Sequence, residues 1–155
     1  VDVPSADALA DVVPETEHIA HIQRAVLDVL DDLHRQLGVH ATDAFSIRVE
    51  DLADIGRIMA RLRETPPAEV AGSPVASAED LSAGAGGLPP TDGLRYLLDD
   101  DSRIIVRPSG TEPKLKVYLE AIEPVADQDD LGPARDRAAE RLGRVRAAME
   151  SLTAL

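Results

Sequence analysis

Three short apolar segments, Leu94–Leu98, Arg103–Val106 and Leu115–Ile122, follow one another with little chain between them. A parallel connection needs a crossover of about a dozen residues. The four residues Asp99-Asp100-Asp101-Ser102 cannot supply one, so these segments read as antiparallel strands with an acidic hairpin turn. The last segment sets Leu115, Val117, Leu119 and Ala121 against Lys116, Tyr118, Glu120 and Ile122. That alternation describes a strand with one face buried and one open. A sheet with one apolar face needs a covering layer, and helices are the usual cover.

The rest of the chain offers them. Ile19, Ile22, Val26, Leu30, Leu33 and Leu37 recur at helical spacing, and Gly38 stands where a left-handed cap residue belongs. Ala44–Val49 reads as a strand with Phe45, Ile47 and Val49 on one face. Asp51 opens a second helix with Leu52, Ile55, Met59 and Leu62 as its buried stripe, stopped at Thr65-Pro66-Pro67. Ala68–Val75 reads as a further strand, and residues 82–93, with four Gly and two Pro, as a loop. Asp127–Leu152 is the closing helix, with Leu131, Ala138, Leu142, Val145, Met149 and Leu152 inward. Its arginines and acids intersperse, which reads as a solvated face with i,i+4 pairs. The expected fold is α+β: a small antiparallel sheet of about four strands covered by two helices, with an extra N-terminal helix. Residues 1–37 divide as an acidic tail plus an amphipathic helix, and residues 38–155 as the main domain.

Charge narrows the partners. The chain carries a formal net charge of -13, which opposes binding to nucleic acid or to an anionic membrane. It has no cysteine, so thiolate chemistry and disulfides are excluded, as suits a cytoplasmic location. No run of about 18 apolar residues offers a membrane span.

Against that background Arg103–Lys116 stands out. It holds Arg103, Arg107, Lys114 and Lys116 against Glu112 alone, and both lysines of the chain. At its centre is Arg107-Pro108-Ser109-Gly110-Thr111-Glu112-Pro113. A phosphate monoester is a near-dianion that accepts many hydrogen bonds. Arg107 offers a planar fork for two oxygens. Ser109 and Thr111 offer hydroxyl donors. Gly110 lets the backbone approach closely and is expected at positive φ, so that successive amides can point at one anion. A tight hairpin turn with charges for solubility would use the same residue types.

This motif, continued by Lys114-Leu115-Lys116-Val117-Tyr118-Leu119-Glu120, resembles the C-terminal domain signature of the α-D-phosphohexomutase family of phosphoglucomutases and phosphomannomutases. The resemblance extends from Gly38 to about Leu152. It implies a small domain like the TATA-binding-protein fold, the last of four around a cleft. It implies that Arg107, Ser109, Gly110 and Thr111, with Lys116 as a further candidate, hold the phosphate of a hexose phosphate. Glu112 would shape the turn. The implied reaction is an intramolecular phosphotransfer, an isomerisation of hexose 1- and 6-phosphates in carbohydrate metabolism. The implied partners are the substrate and the other domains of the intact enzyme.

The family's phosphoserine loop and magnesium loop have no counterpart in these residues, so no catalytic or metal-binding residue is assigned. Mg²⁺ is expected on another domain, and the chain alone is expected to be inactive. Asp99–Asp101 would splay into solvent rather than converge on a cation. His18 and His21 share a helix at i,i+3 spacing without an evident third ligand, and His34 sits near that helix's end. The alternative is a stand-alone, non-catalytic binding or oligomerisation module that keeps the fold.

Overall fold

The computed structural model describes residues 13–84, 89–127 and 129–155. The expected tail lies outside them except for Val13 and Pro14, which begin the first helix. The elements run α1 (Val13–Leu37), β1 (Val39–Arg48), α2 (Leu52–Glu64), β2 (Glu69–Val70), β3 (Ser73–Asp80), β4 (Leu94–Leu98), β5 (Arg103–Pro108), β6 (Lys114–Glu123) and α3 (Leu131–Leu152). The sheet is wholly antiparallel, in the order β1-β6-β5-β4-β3-β2.

The α+β class matches expectation, with six strands in place of about four. One addition comes from a single segment. The run expected as a single strand over Ala68–Val75 is a tight hairpin, β2 and the start of β3, turned at Ala71 and Gly72. Both turn residues have positive φ, 54° and 83°, the turn geometry that matches strand twist. β1 is also longer than Ala44–Val49 and pairs along its length with β6, from Val39↔Glu123 to Arg48↔Lys114.

The core forms where the alternation demands it. Leu115, Val117 and Leu119 of β6 are buried with Ile104 and Val106 of β5 and Leu94, Tyr96 and Leu98 of β4. α2 covers this face with Ile55, Ile58, Met59 and Leu62, and α3 with Val145 and Met149. Leu52, the first residue of α2, is exposed, and Ile58 joins the buried stripe in its place. The Asp51 carboxylate accepts the Ala53 amide at 2.9 Å. Tyr96 is 1% exposed and its hydroxyl donates to the Leu62 carbonyl at 3.2 Å. Burial pushes that phenol up to about 12.

Three of the α3 arginines leave their own helix for partners on the sheet. Arg137 and Arg141 both reach Glu123, the buried last residue of β6, and Arg146 reaches Asp43 of β1 at 2.6 Å. Arg146–Glu150 alone among these is an i,i+4 pair, so the arginine face fastens α3 to the sheet instead of being merely solvated.

α1 meets this domain at one end. Gly38, at φ +89°, donates to the His34 carbonyl at 2.9 Å and closes the helix as the cap position predicts. Arg135 of α3 bridges to Asp31 at 2.5 Å and to the His34 Nδ1 at 3.2 Å. The apolar stripe of α1 faces water: Ile19, Ile22, Val26, Leu30, Leu33 and Leu37 are all exposed.

Candidate functional site

Arg107↔Lys116 and Pro108↔Leu115 are the last pairs of the β5–β6 ladder before the chain turns. The connection 109–113 is closed by the Ser109 amide donating to the Lys114 carbonyl at 2.9 Å and by the Lys114 amide donating to Glu112 at 2.7 Å. The Val49 amide donates to the Pro113 carbonyl at 3.1 Å, so the end of β1 anchors the loop's far side. The amides of Gly110, Thr111 and Glu112 have no backbone acceptor among the described residues. Two prolines and two strand ends therefore present an exposed turn with free donors.

Gly110 departs from expectation. Its φ is not positive, and a Cβ built on it meets nothing within 4 Å. The turn's geometry is set by Pro108, Pro113 and the hydrogen bonds across it. In the chain by itself the glycine leaves open space where a ligand's approach would use it.

The charges sort themselves into quenched and open groups. Glu112 accepts Lys114 at 2.7 Å and Arg48 at 3.3 Å, and the Lys114 hydrogen bond holds its carboxyl below the usual carboxylate range. Glu112 thus shapes the turn, as expected, and its negative charge is spent on neighbours. Arg103 is engaged by Glu120 at 2.7 Å. Arg107 and Lys116, register partners on the outward face, have no carboxylate partner among the described residues. The ladder brings these two cations together beside Ser109–Thr111.

Two side chains near the site escaped the sequence reading. Arg48 belongs to β1 and reaches Glu112 only because β1 pairs with β6. Tyr118 lies one outward position beyond Lys116, under the Arg107 guanidinium at 5.5 Å from ring centroid to guanidinium carbon. The Arg107 Nη2 donates to its hydroxyl at 3.4 Å, and this bond holds the phenol below the usual tyrosine range. Its outward place in the β6 alternation was the available signal. Beyond it the open face of the sheet dips into a concavity of about 480 Å³ that includes Thr42, Arg103, Ile105, Tyr118 and Glu120 in its lining.

The other candidates do not converge. In the acidic turn, the Asp100 carboxylate accepts the Ser102 amide at 3.0 Å and lies 3.8 Å from Arg141, while Asp101 takes φ 62° to make the turn. Among the described residues no three His, Asp or Glu side chains group as metal ligands. His21 is exposed, and the His18 side chain lies outside the described residues. No helix among the described residues is long and apolar enough to cross a membrane.

Comparison with known proteins bears on this geometry. Residues 46–130, more than half of the chain, match the family model described as phosphoglucomutase/phosphomannomutase, C-terminal domain. A probable phosphomannomutase of Haemophilus influenzae is 41% identical over 98 residues, which cover 63% of this chain and 20% of that protein. A Staphylococcus aureus phosphoglucomutase is 31% identical over 110 residues, covering 62% and 20%. The chain thus spans about a fifth of the length of the curated relatives it matches. In structure it resembles the exocytosis-sensitive phosphoprotein pp63/parafusin, a phosphoglucomutase from Paramecium in its open form. The TM-score is 0.53 at 18% identity, over 83% of this chain and 22% of that one, a likeness of fold.

Proposed function

Because this chain belongs to the phosphoglucomutase/phosphomannomutase C-terminal domain family, we propose that its β5–β6 loop grips the phosphate group of a hexose phosphate. The observation that carries the reading is the local charge balance. In a chain of net charge -13, Glu112 is occupied by Lys114 and Arg48, while Arg107 and Lys116 face outward without a carboxylate.

In this reading the Arg107 fork takes two phosphate oxygens. The Ser109 and Thr111 hydroxyls and the amides of Gly110 and Thr111 take the rest, and Lys116 adds a point charge. These groups bind and orient. In this reading the domain contributes positioning, an effect that can lower a barrier by several kcal/mol in a bound complex. The reaction served is the isomerisation of hexose 1- and 6-phosphates by intramolecular phosphotransfer. Mg²⁺ and the phosphorylated serine belong, in this proposal, to other domains of the intact enzyme. Residues 1–37 belong with what precedes the phosphate-binding unit of residues 38–155. The wide water-facing stripe of α1 supports that division.

The test is a titration of the chain with glucose 6-phosphate into the millimolar range, followed by amide NMR. Ser109, Gly110 and Thr111 signals should shift in a saturable way, and Arg107→Ala should weaken binding about tenfold, as expected for a charge-assisted bidentate contact. Shifts elsewhere with these three unmoved, or an Arg107→Ala chain that binds as well as the original, would refute the reading.

A further inference from the structure

The cations around the β5–β6 loop are restrained in two different ways. Arg103, Arg48 and Lys114 are each held by a carboxylate, which orders the side chain and cancels its charge. Arg107 is held by the neutral Tyr118, through the ring face at 5.5 Å and the hydroxyl at 3.4 Å. A free arginine has many rotamers, and ordering it against a ligand subtracts from affinity. A carboxylate partner would remove that cost but would compete with an incoming anion. An aromatic ring with a hydroxyl at its edge orders the guanidinium and leaves its full charge available.

Placement supports this. Arg107 lies on β5 and pairs with Lys116, and Tyr118 is the next outward residue along β6, opposite Ile105. The ladder therefore fixes the ring diagonally behind the guanidinium, on the side away from the loop. The Tyr118 side chain is partly exposed and is not in the buried core, so its role in packing the fold is small.

We infer that Tyr118 is a positioning residue that pre-orders Arg107 for an anion at Ser109–Thr111. The inference rests on the phosphate reading above. Tyr118 acts on the ligand through Arg107 and not by direct contact.

Two measurements on the full chain test it. The first needs no ligand: the NMR order parameter of the Arg107 Nε–H group. It should be that of a restrained side chain in the original protein and fall below about 0.6, the flexible range, in Tyr118→Leu. Tyr118→Phe, which keeps the ring and loses the hydroxyl, should lie between. An order parameter that does not change in Tyr118→Leu overturns the inference. The second is the glucose 6-phosphate titration. Tyr118→Leu should weaken binding about fivefold alone, and not at all in an Arg107→Ala background. An equal loss in both backgrounds would mean that Tyr118 acts on the ligand or the fold independently of Arg107, and overturns the inference. If Arg107→Ala weakens binding while Tyr118→Leu does not, the phosphate reading stands and the positioning role falls. If Arg107→Ala has no effect, both fall.

Discussion

Two glycines with nearly the same φ differ in what surrounds them, and that difference predicts a measurable gap. Gly38 and Gly72 have φ of +89° and +83°. Replacing either with alanine puts a Cβ into the left-handed region at a cost of about 1 kcal/mol. At Gly72 the new methyl meets nothing within 4 Å. At Gly38 it lies 2.9 Å from the Glu123 carbonyl oxygen and 3.3 Å from the Ile122 Cγ2. The carbonyl cannot simply swing away, because Val39 pairs with Glu123 at the end of the β1–β6 ladder and Glu123 is also gripped by Arg137 and Arg141. An overpacked contact of this kind adds about 1–2 kcal/mol. Gly72→Ala should therefore cost about 1 kcal/mol and Gly38→Ala about 2–3 kcal/mol. Urea denaturation would read both as a lower midpoint at constant m-value. In a chain of this size the thermal midpoint should fall by about 3 °C and about 8 °C respectively. Equal losses in the two variants would refute the reasoning, since they would show that the α1–β1 junction relaxes freely around the new methyl.

Tyr96→Phe keeps the buried ring and deletes the hydroxyl that donates to Leu62, and should cost about 1 kcal/mol by urea denaturation at neutral pH. Its folded-state value of about 12 lies above the ordinary 10, so this phenol's contribution is complete below pH 10 and is lost as pH rises toward 12; the Phe variant should lose less stability over that interval. Asp130 shows the opposite sign: the Arg137 hydrogen bond lowers its carboxyl from 3.8 to about 2, so its contribution is present above pH 3.8 and is lost as pH falls toward 2. Asp130→Asn should flatten the acid limb of a stability–pH curve between those values, and an unchanged limb would show that the pair does not stabilise the fold.

Period-two alternation in β6 made the sheet and its buried face legible, because a strand with one wet side can satisfy only one register. The loop was legible because its residue types are unusual for so acidic a chain. Ala71 hid the β2–β3 hairpin, since alanine is not a residue that announces a positive φ. Positive φ was instead expected at Gly110, where the hydrogen bonds across the turn make it unnecessary. The arginines of α3 have acids at helical spacing beside them, yet Arg137 and Arg141 find Glu123 across space. Spacing along a helix carries no information about what a neighbouring strand offers. Tyr118 was visible only as an outward residue, and its relation to Arg107 exists because β5 and β6 share one register.

The α1 stripe has a further consequence, for the energetics of partial opening. α1 runs for 25 residues, but most helix stability in proteins comes from packing an amphipathic face. α1 packs little: its apolar residues face solvent, and its tie to the domain is Gly38 with the Arg135 contacts to Asp31 and His34. The chain is thus built of two parts that can unfold at different free energies, with the helix fraying first while β1, β5 and β6 keep their ladders. The β5–β6 loop sits wholly on the second part. Whatever α1 does, the groups proposed to grip a phosphate are held by the part with the packed core.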